Sequence, residues 1–315
     1  MASVRAAAMA ISMMLLQHKP AEGSNLGRRT LRRCAQQPRL QKKNGIDLRR
    51  RLFLQGVTIG PSSIAFQQLQ SKAKPPPPPH PSSAELAGAF NEWEDTVPFD
   101  NEDFRRLDES NDKLFYDQPK LVEHIDKAGV LALSRFHETQ LSRLSFDLGR
   151  SSVEELDVLD LCSSWVSHLG AARPRQVVGL GINSEELNAN PVLTRRIEAD
   201  LNANPKLDVP DSSFDAVLCQ LSIDYLVKPI DVTSEAFRVL RPGGIFVVTF
   251  SNRLFFEKAV AVWTGKSDLD HIETVGAFMH YSNAPIKSIH AFDLIPNVIK
   301  TGGDPLYAVI GTKGR

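Results

Sequence analysis

Between residues 156 and 250, short apolar runs alternate with segments of helical length. The runs are rich in β-branched and aliphatic residues and include 156–161, 176–182, 214–219 and 245–250. Strands of this composition are typically buried on both faces of a sheet. Their alternation with helices predicts a parallel α/β sheet.

The order of these segments resembles that of the class I S-adenosylmethionine-dependent methyltransferases, in particular their type 11 group. The similarity spans about residues 119–312. Its most specific part is 237–250, where Arg-Val-Leu-Arg-Pro-Gly-Gly precedes a hydrophobic strand. The resemblance implies a Rossmann-like sheet with strand order 3-2-1-4-5-7-6 and an antiparallel last strand, flanked by helices. It also implies S-adenosyl-L-methionine as the cofactor.

Composition excludes several other classes of protein. With 315 residues, of which 42% are hydrophobic, the chain can bury one large core or two small ones. The formal net charge is zero, which gives no indication of nucleic-acid binding, and three cysteines do not make a disulfide framework. No apolar run reaches the ~18 residues that a membrane span needs. The histidines lack metal-ligand spacing, so we expect no metal.

The first 73 residues carry two predicted targeting signals. Residues 1–45 are rich in Arg, Ala and Ser and nearly free of acid, which is typical of an organelle transit peptide; the alternative is a disordered basic arm. Arg50-Arg51-Leu52-Phe53 resembles a twin-arginine export motif; the alternative is a basic stretch before a short helix. The two signals together predict a plant chloroplast protein, with the thylakoid lumen as its compartment.

Three further regions follow the targeting signals. Residues 74–83 are a proline-rich linker, 84–150 a helical preface or cap, and 151–315 the methyltransferase-like domain. In the preface, Pro119 is predicted to open a helix with Asp117 as its cap. Residues 111–119 either cover the cofactor cleft or pack the preface onto the sheet. Later, 252–263 and 269–281 are predicted helices, and 286–295 and 306–312 a final antiparallel pair.

In the resembled family, the loop after the first strand carries glycines, because the backbone must approach the cofactor closely. Here Cys162 and Ser164 occupy the glycine positions. Either Ser163 and Ser164 donate hydrogen bonds to the cofactor carboxylate and Trp165 roofs the pocket, or these side chains close it. The resemblance places Asp160 near the cofactor's amino group.

The second strand also departs from the family pattern. Gly181 stands where an acid usually receives the ribose hydroxyls, and Asn183, Glu185 or Glu186 is the expected substitute. Asp200, followed by Leu201, stands where the family's acid reads the adenine amino group; the alternative is a loop-capping role. Gln220 follows the fourth strand and is expected to line the cleft.

Methyl transfer depends mainly on positioning, so no catalytic triad is required. If the acceptor must lose a proton, Asp224 is the first candidate base and Tyr225 the second. The alternative is a surface carboxylate and a packing tyrosine.

Two cysteines are expected to be neighbours. Cys162 follows the first strand and Cys219 lies in the fourth, and the implied strand order makes these strands adjacent. They are either two buried thiols or a disulfide across the mouth of the cleft.

Three functions remain open at this point. The first is methyl transfer to a small-molecule acceptor, with no nucleic-acid partner and no transmembrane segment. The second is a catalytically inactive binding or assembly protein of the chloroplast that keeps the fold. The third is a nucleotide-binding oxidoreductase, against which the absent Gly-x-Gly-x-x-Gly loop counts heavily.

Overall fold

The computed structural model describes residues 81–90, 92–296 and 303–314. Both predicted targeting signals and most of the linker lie outside the described residues. Within them, no helix is both long and apolar enough to cross a bilayer, and no group of three or more His, Cys, Asp or Glu side chains could hold a metal ion.

A seven-stranded sheet forms the centre of the fold, in the order 3-2-1-4-5-7-6. Its strands are β1 Asp157–Leu161, β2 Gln176–Gly181, β3 Arg195–Glu198, β4 Phe214–Gln220, β5 Leu240–Ser251, β6 Ile286–Asp293 and β7 Leu306–Lys313. Strands β1 to β5 are mutually parallel, and β7 is antiparallel to both β5 and β6. The predicted fold class and the predicted final pair are therefore confirmed.

The central strands are buried on both faces, as their composition predicts. All residues of β1 are buried. Val158 packs in the core cluster on one side of the sheet, and Leu159 packs in the cluster on the other side. Helices cover these clusters: α1 Ser83–Gly88, α2 Asp112–Phe115, α3 Lys127–Asp147, α4 Ser184–Ala189, α5 Pro229–Val239 and α6 Asp268–His280.

The predicted helix at Pro119 is wrong, because the first long helix of the preface begins at Lys127. Asp126 caps it by accepting a hydrogen bond from the Gly129 amide at 2.7 Å. Before that point, the Lys120 amide donates to Glu186 at 2.7 Å, far along the chain. This bond holds the start of the 119–126 segment against the domain, and the segment is not helical.

The predicted helix over 252–263 is also wrong, since this segment forms turns. Its amides bond to other parts of the chain: Ala261 donates to Arg105 and Val262 to Asp103, both at 2.8 Å. An apolar pattern at helical spacing did not reveal these distant partners. The helix predicted over 269–281 is confirmed as α6.

The Arg241-Pro242-Gly243-Gly244 turn belongs to the start of β5 rather than lying between helix and strand. Helix α5 ends at Val239, and Leu240 already pairs with Phe214 across a bulge. Gly243 has a φ of +83°, which is the left-handed region that favours glycine.

A buried group of charges, which we call the preface anchor, attaches the preface to the domain. It consists of Arg106, Asp108, Asp112, Asn202 and Lys258. The fully buried Lys258 Nζ lies 3.0 Å from Asp108 and 3.1 Å from Asp112. Arg106 donates to both Asp112 oxygens at 2.9 Å, and Asn202 donates to Asp112 at 2.8 Å. Burial acts to raise the pKa of Asp112, but these donors outweigh it and the pKa is lowered.

Candidate cofactor and substrate cleft

A cavity of about 360 Å³ opens at the carboxyl ends of β1, β2 and β4, where the strand order reverses. Ligands of open α/β sheets bind at this place. Ten of the residues singled out from the sequence line it: Asp160, Cys162, Ser163, Ser164, Trp165, Asn183, Asp200, Leu201, Gln220 and Tyr225. Asp224 is 4% exposed and does not line it.

Asp160 lies at the floor of the cavity and accepts three hydrogen bonds. The Ser163 and Ser167 hydroxyls donate to it at 2.7 Å, and Gln220 Nε2 donates at 2.9 Å. Burial raises the pKa of the Asp160 carboxyl against these hydrogen bonds, which lower it. The other amide atom, Gln220 Oε1, is buried and has no partner among the described residues. A vacant acceptor beside a carboxylate suits a ligand that carries an amino group.

The loop after β1 has side chains where the family has glycines, and its backbone runs close to β2. A β-carbon on Gly181 would lie 2.1 Å from the Ser163 carbonyl oxygen, and one on Gly179 would lie 2.4 Å from the Leu193 side chain and 3.0 Å from Ser163 Oγ. Cys162 retains a glycine-like conformation, with a φ of +53°. Gly181 thus leaves room for the backbone of this loop.

This arrangement explains why no acid stands at the end of β2, and it places Glu186 in the cavity instead. The Glu186 carboxylate accepts from the Lys120 amide at 2.7 Å and from the Ser164 hydroxyl at 2.5 Å. Each carboxylate oxygen can accept a further bond. Glu186 lines the cavity, whereas Glu185 does not.

The predicted substitute Asn183 has its polar atoms committed within the protein. Its Oδ1 caps α4 by accepting from the Glu186 amide at 3.0 Å. Its Nδ2 donates to the carbonyl oxygens of Tyr116 at 2.7 Å and Asp117 at 3.2 Å. Asn183 therefore holds the preface against the cleft, and Glu186 is the residue with acceptor capacity for hydroxyl groups.

Both hydroxyl protons of the serine pair are also used within the protein, since Ser163 donates to Asp160 and Ser164 to Glu186. Trp165 lines the cavity, and its indole nitrogen donates to the Val122 carbonyl at 3.2 Å. Its position ties the loop after β1 to the preface.

Asp200 takes the loop-capping role considered for it and also lines the cavity, while its role toward adenine stays a prediction. Its Oδ1 accepts from the amides of Asn202 at 2.9 Å and Ala203 at 3.2 Å, which caps the following turn. Its Oδ2 makes no hydrogen bond to the described residues, and Asp200 lines the cavity beside Leu201. One oxygen therefore shapes the loop and the other is open to a ligand.

The preface forms an aromatic wall of the cavity, which sequence patterns did not reveal. Phe115 packs edge-on against Phe255, with ring centroids 5.4 Å apart, and Tyr116 also lines the cavity. Lys120 Nζ lies over the Phe115 ring at 4.6 Å and donates to the Phe115 carbonyl at 2.9 Å. Both roles considered for residues 111–119, covering and packing, are therefore seen. No motif marked Lys120 or Phe255, because each acts only through distant contacts.

Asp224 and Tyr225 form a connected pair beside this wall. Tyr225 lines the cavity, and its hydroxyl oxygen accepts from the Phe255 amide at 2.9 Å. Burial raises the pKa of the Asp224 carboxyl to about 7, and a hydrogen bond from Tyr225 acts in the opposite direction. Burial likewise raises the pKa of Tyr225.

The two cysteines lie together, as the strand order implied. Leu161 pairs with Cys219 across β1 and β4, and Cys162 and Cys219 are both free thiols. A hydrogen bond with Cys162, together with burial, raises the pKa of Cys219 well above its ordinary value. Of the two alternatives considered for them, the structure has the pair of thiols.

Comparison with known proteins identifies the domain that holds this cavity. Residues 160–248, which include Asp160, Asp200 and Gln220, match the family described as "Methyltransferase domain". This part of the chain is therefore a methyltransferase domain, similar to those of the class I S-adenosylmethionine-dependent enzymes. A Mycolicibacterium smegmatis protein named "Probable S-adenosylmethionine-dependent methyltransferase" is 37% identical over 84 residues, covering 26% of this chain and 32% of the relative.

A malonyl-(acyl-carrier protein) O-methyltransferase of a Marinomonas species is 29% identical over 89 residues, covering 28% of this chain and 32% of the relative. The chain thus spans about a third of the length of these curated relatives. Among solved structures, the YcgJ protein of Bacillus subtilis is similar at 15% identity with a TM-score of 0.41, covering 59% of this chain and 99% of that one. An S-adenosylmethionine-dependent methyltransferase of Mesorhizobium loti is 18% identical with a TM-score of 0.38, covering 57% and 100%.

The residues of the cavity fit the cofactor that the methyltransferase family implies. Asp160 and the unpartnered Gln220 Oε1 suit an ammonium group, and Glu186 has acceptor capacity for ribose hydroxyls. Lys120 lines the cavity with no carboxylate within ion-pair distance in the described part of the chain. Its ammonium suits the carboxylate of the same molecule.

Proposed function

We propose that this chain transfers the methyl group of S-adenosylmethionine to a small-molecule acceptor in the chloroplast. The observation that carries the proposal is Gln220 Oε1, a buried oxygen with no partner among the described residues, on a cavity-lining side chain that also bonds to the cavity-lining Asp160. A buried acceptor without a partner is unfavourable unless a ligand supplies the donor.

The side chains of the chain have distinct parts in this proposal. Asp160 and Gln220 hold the ammonium group, Lys120 the carboxylate, Glu186 the ribose hydroxyls and Asp200 Oδ2 the adenine amino group. The bound cofactor supplies an electrophilic methyl group. These contacts fix its position, and positioning is the main source of rate in a displacement at carbon.

Tyr225 and Asp224 are proposed to remove the acceptor's proton. Tyr225 lines the cavity, and the buried carboxyl of its chain neighbour Asp224 is near enough for the two groups to influence each other's pKa. The hydroxyl of Tyr225 passes its proton to Asp224 as it takes one from the acceptor. A carboxyl whose pKa is about 7 accepts a proton readily near neutral pH.

Calorimetric titration of the full chain with S-adenosylmethionine and S-adenosylhomocysteine tests the proposal. We expect binding at or below ~100 μM, weakened at least ~10-fold in Asp160→Ala and Asp200→Ala, since each removes a cavity acceptor. Asp208→Ala is the matched control, because Asp208 is exposed and outside the cavity. Binding that is insensitive to both cavity variants would contradict the assigned roles.

The inactive binding protein is the second candidate, and one observation favours it. The 2.5 Å bond between Ser164 and Glu186 joins the loop after β1 to α4 beside the cavity. If that bond closes the site, a folded sample binds neither ligand, and Ser164→Gly restores binding. Weak binding that Ser164→Gly leaves unchanged would count against this candidate.

The chloroplast location is part of the proposal and rests on residues 1–73 alone. We expect these residues, fused to a fluorescent protein, to direct it to chloroplasts in plant cells. Cytosolic fluorescence would contradict the location and leave the proposed activity unaffected.

A further inference from the structure

Four exposed apolar side chains stand close in the chain to residues of the cavity. We call Leu114, Leu121, Val122 and Phe256 the apolar rim; they are 75%, 52%, 57% and 57% exposed. Three of them adjoin cavity-lining residues in the chain: Leu121 follows Lys120, Val122 precedes Glu123 and Phe256 follows Phe255. Leu114 precedes Phe115, which packs on Phe255. Solvent-exposed side chains of this size, beside one cavity, indicate a surface that something covers.

Contacts between the neighbours of these residues bring the rim together. Phe115 contacts Phe255 at 5.4 Å, which joins the chain at Leu114 to the chain at Phe256. Lys120 Nζ donates to the Phe115 carbonyl at 2.9 Å, which brings in Leu121 and Val122. The rim therefore continues the aromatic wall outward into solvent.

The size of the cavity places most of the acceptor on this rim. A volume of about 360 Å³ is near the lower end of small-molecule pockets, which range over about 300–1,000 Å³. An adenosine joined to a methionine occupies most of such a space. Only the methyl-accepting group of the second substrate then fits inside, and the remainder of that molecule must lie across the mouth.

We propose that the acceptor is an amphipathic molecule with a hydrocarbon tail, and that this tail lies on the apolar rim while the polar methyl-accepting group enters the cavity. The inference rests on the proposed function, whose acceptor it describes. Charges beside the rim have both signs, since Lys113, Asp117 and Glu123 flank it. An anionic bilayer surface would favour a cluster of cations instead, so the covering partner is the acceptor's own tail.

A homologous series of probes tests the idea. The full chain is saturated with S-adenosylhomocysteine and titrated calorimetrically with the butyl, octyl and dodecyl esters of 4-hydroxybenzoate, below their micelle-forming concentrations. Burial of a methylene group on the rim is expected to tighten binding by about two- to fourfold. Affinity should therefore rise steeply with chain length.

Two substitutions on the rim should remove that dependence. In Phe256→Ser and Val122→Ser, the increase in affinity from the butyl ester to the dodecyl ester is expected to be at least ~10-fold smaller than in the wild type. Phe146→Ser is the matched control, because Phe146 is 82% exposed in α3. It lies four residues before Arg150, which pairs with Asp215 at the amino end of β4. The cavity lies at the carboxyl ends of the strands, on the opposite side of the domain. The control should keep the wild-type dependence.

The outcomes separate this inference from the proposed function. If the chain binds S-adenosylhomocysteine but its affinity for the esters does not vary with their chain length, the inference alone is overturned. Absence of S-adenosylhomocysteine binding would overturn the proposed function and the inference with it.

Two further measurements identify a different occupant of the rim. Co-sedimentation of the chain with anionic phospholipid vesicles, lost in Phe256→Ser without any chain-length effect in solution, would overturn the inference in favour of a membrane surface. Concentration-dependent self-association lost in the same variant would overturn it in favour of a second copy of the chain.

Discussion

Gly181 shows how a residue without a side chain decides the chemistry beside it. A β-carbon there would lie 2.1 Å from the Ser163 carbonyl oxygen. The backbone of the loop after β1 therefore occupies the space that an acid would need. In the proposed function the hydroxyl-binding role falls to Glu186, which lines the cavity from α4.

We expect Gly181→Ala to weaken S-adenosylhomocysteine binding at least ~10-fold and to reduce the free energy of unfolding by about 1–3 kcal/mol, because the new methyl group pushes on backbone. Calorimetry and urea denaturation measure the two effects. Gly129→Ala is the control, since its β-carbon would meet the Ile125 side chain, nearest at 3.1 Å from the flexible Cδ1 tip. A Gly181→Ala protein as stable and as tightly binding as the wild type would refute this account.

Asp224 predicts a pH dependence of stability. Burial raises the pKa of its carboxyl from 3.8 to about 7, so the folded chain holds a proton that the unfolded chain releases. This contribution to stability is present below about pH 4 and is lost as pH rises through about 7. The free energy of unfolding should fall by up to about 1.4 kcal/mol per pH unit across that window.

Asp224→Asn should remove this contribution, because an amide does not titrate. Urea denaturation of both proteins between about pH 5 and pH 8 measures it as the difference between their slopes. Parallel slopes would show that Asp224 is ionised in the folded chain throughout.

At the scale of elements, the preface is positioned by contacts that link it to distant segments. Lys120 bonds to Glu186, Ala261 to Arg105, and Lys258 to Asp112. These contacts explain why helical periodicity failed over 119–126 and 252–263. Periodicity reports which residues share a face, and it carries no information about a hydrogen-bond partner far along the chain.

Asp112→Asn should release the preface, because it removes one of the two carboxylates that balance the positive charge of the fully buried Lys258. Loss of one member of a buried ion pair is expected to reduce the free energy of unfolding by about 3 kcal/mol. Relative to the wild type, the substitution should accelerate hydrogen exchange more in residues 104–116 than in β1 or β4. Glu102→Gln, which removes an exposed pair with Arg105, is the control and should change stability by less than about 0.5 kcal/mol. Equal effects of the two substitutions would contradict the anchoring role.

At the scale of the whole molecule, the sheet order was predictable and the wall of the cavity was not. The strands are local apolar runs, and a specific motif at 238–244 fixed their relation to a known order. Asp160, Asp200 and Gln220 were found because they lie at or just after the carboxyl ends of strands. Glu186 was one of three candidates for the ribose acid, and only three-dimensional contact separates it from Asn183 and Glu185. Lys120 approaches from a loop, and no sequence pattern marked it.

The cofactor should stabilise the whole described domain. At a ligand concentration about 100 times Kd, binding adds about 2.7 kcal/mol. For a domain of this size that corresponds to a rise in Tm of about 5–10 °C, measurable by calorimetric melting with S-adenosylhomocysteine. Asp160→Ala should show a much smaller rise at the same concentration. An equal rise in both proteins would place the ligand elsewhere.

The close fit between the loop after β1 and the end of β2 also constrains the history of this chain. The present path of the backbone at Ser163 is tolerated because β2 carries Gly181. In a lineage that moved from an acid at position 181 to this arrangement, the loss of the acid had to come before the present path of the loop. The reverse change has a fixed order too, since an acid restored at position 181 would clash with the loop after β1 until that loop had moved away. Substitutions at the two places are therefore acceptable only in sequence, and neither can be judged without the other.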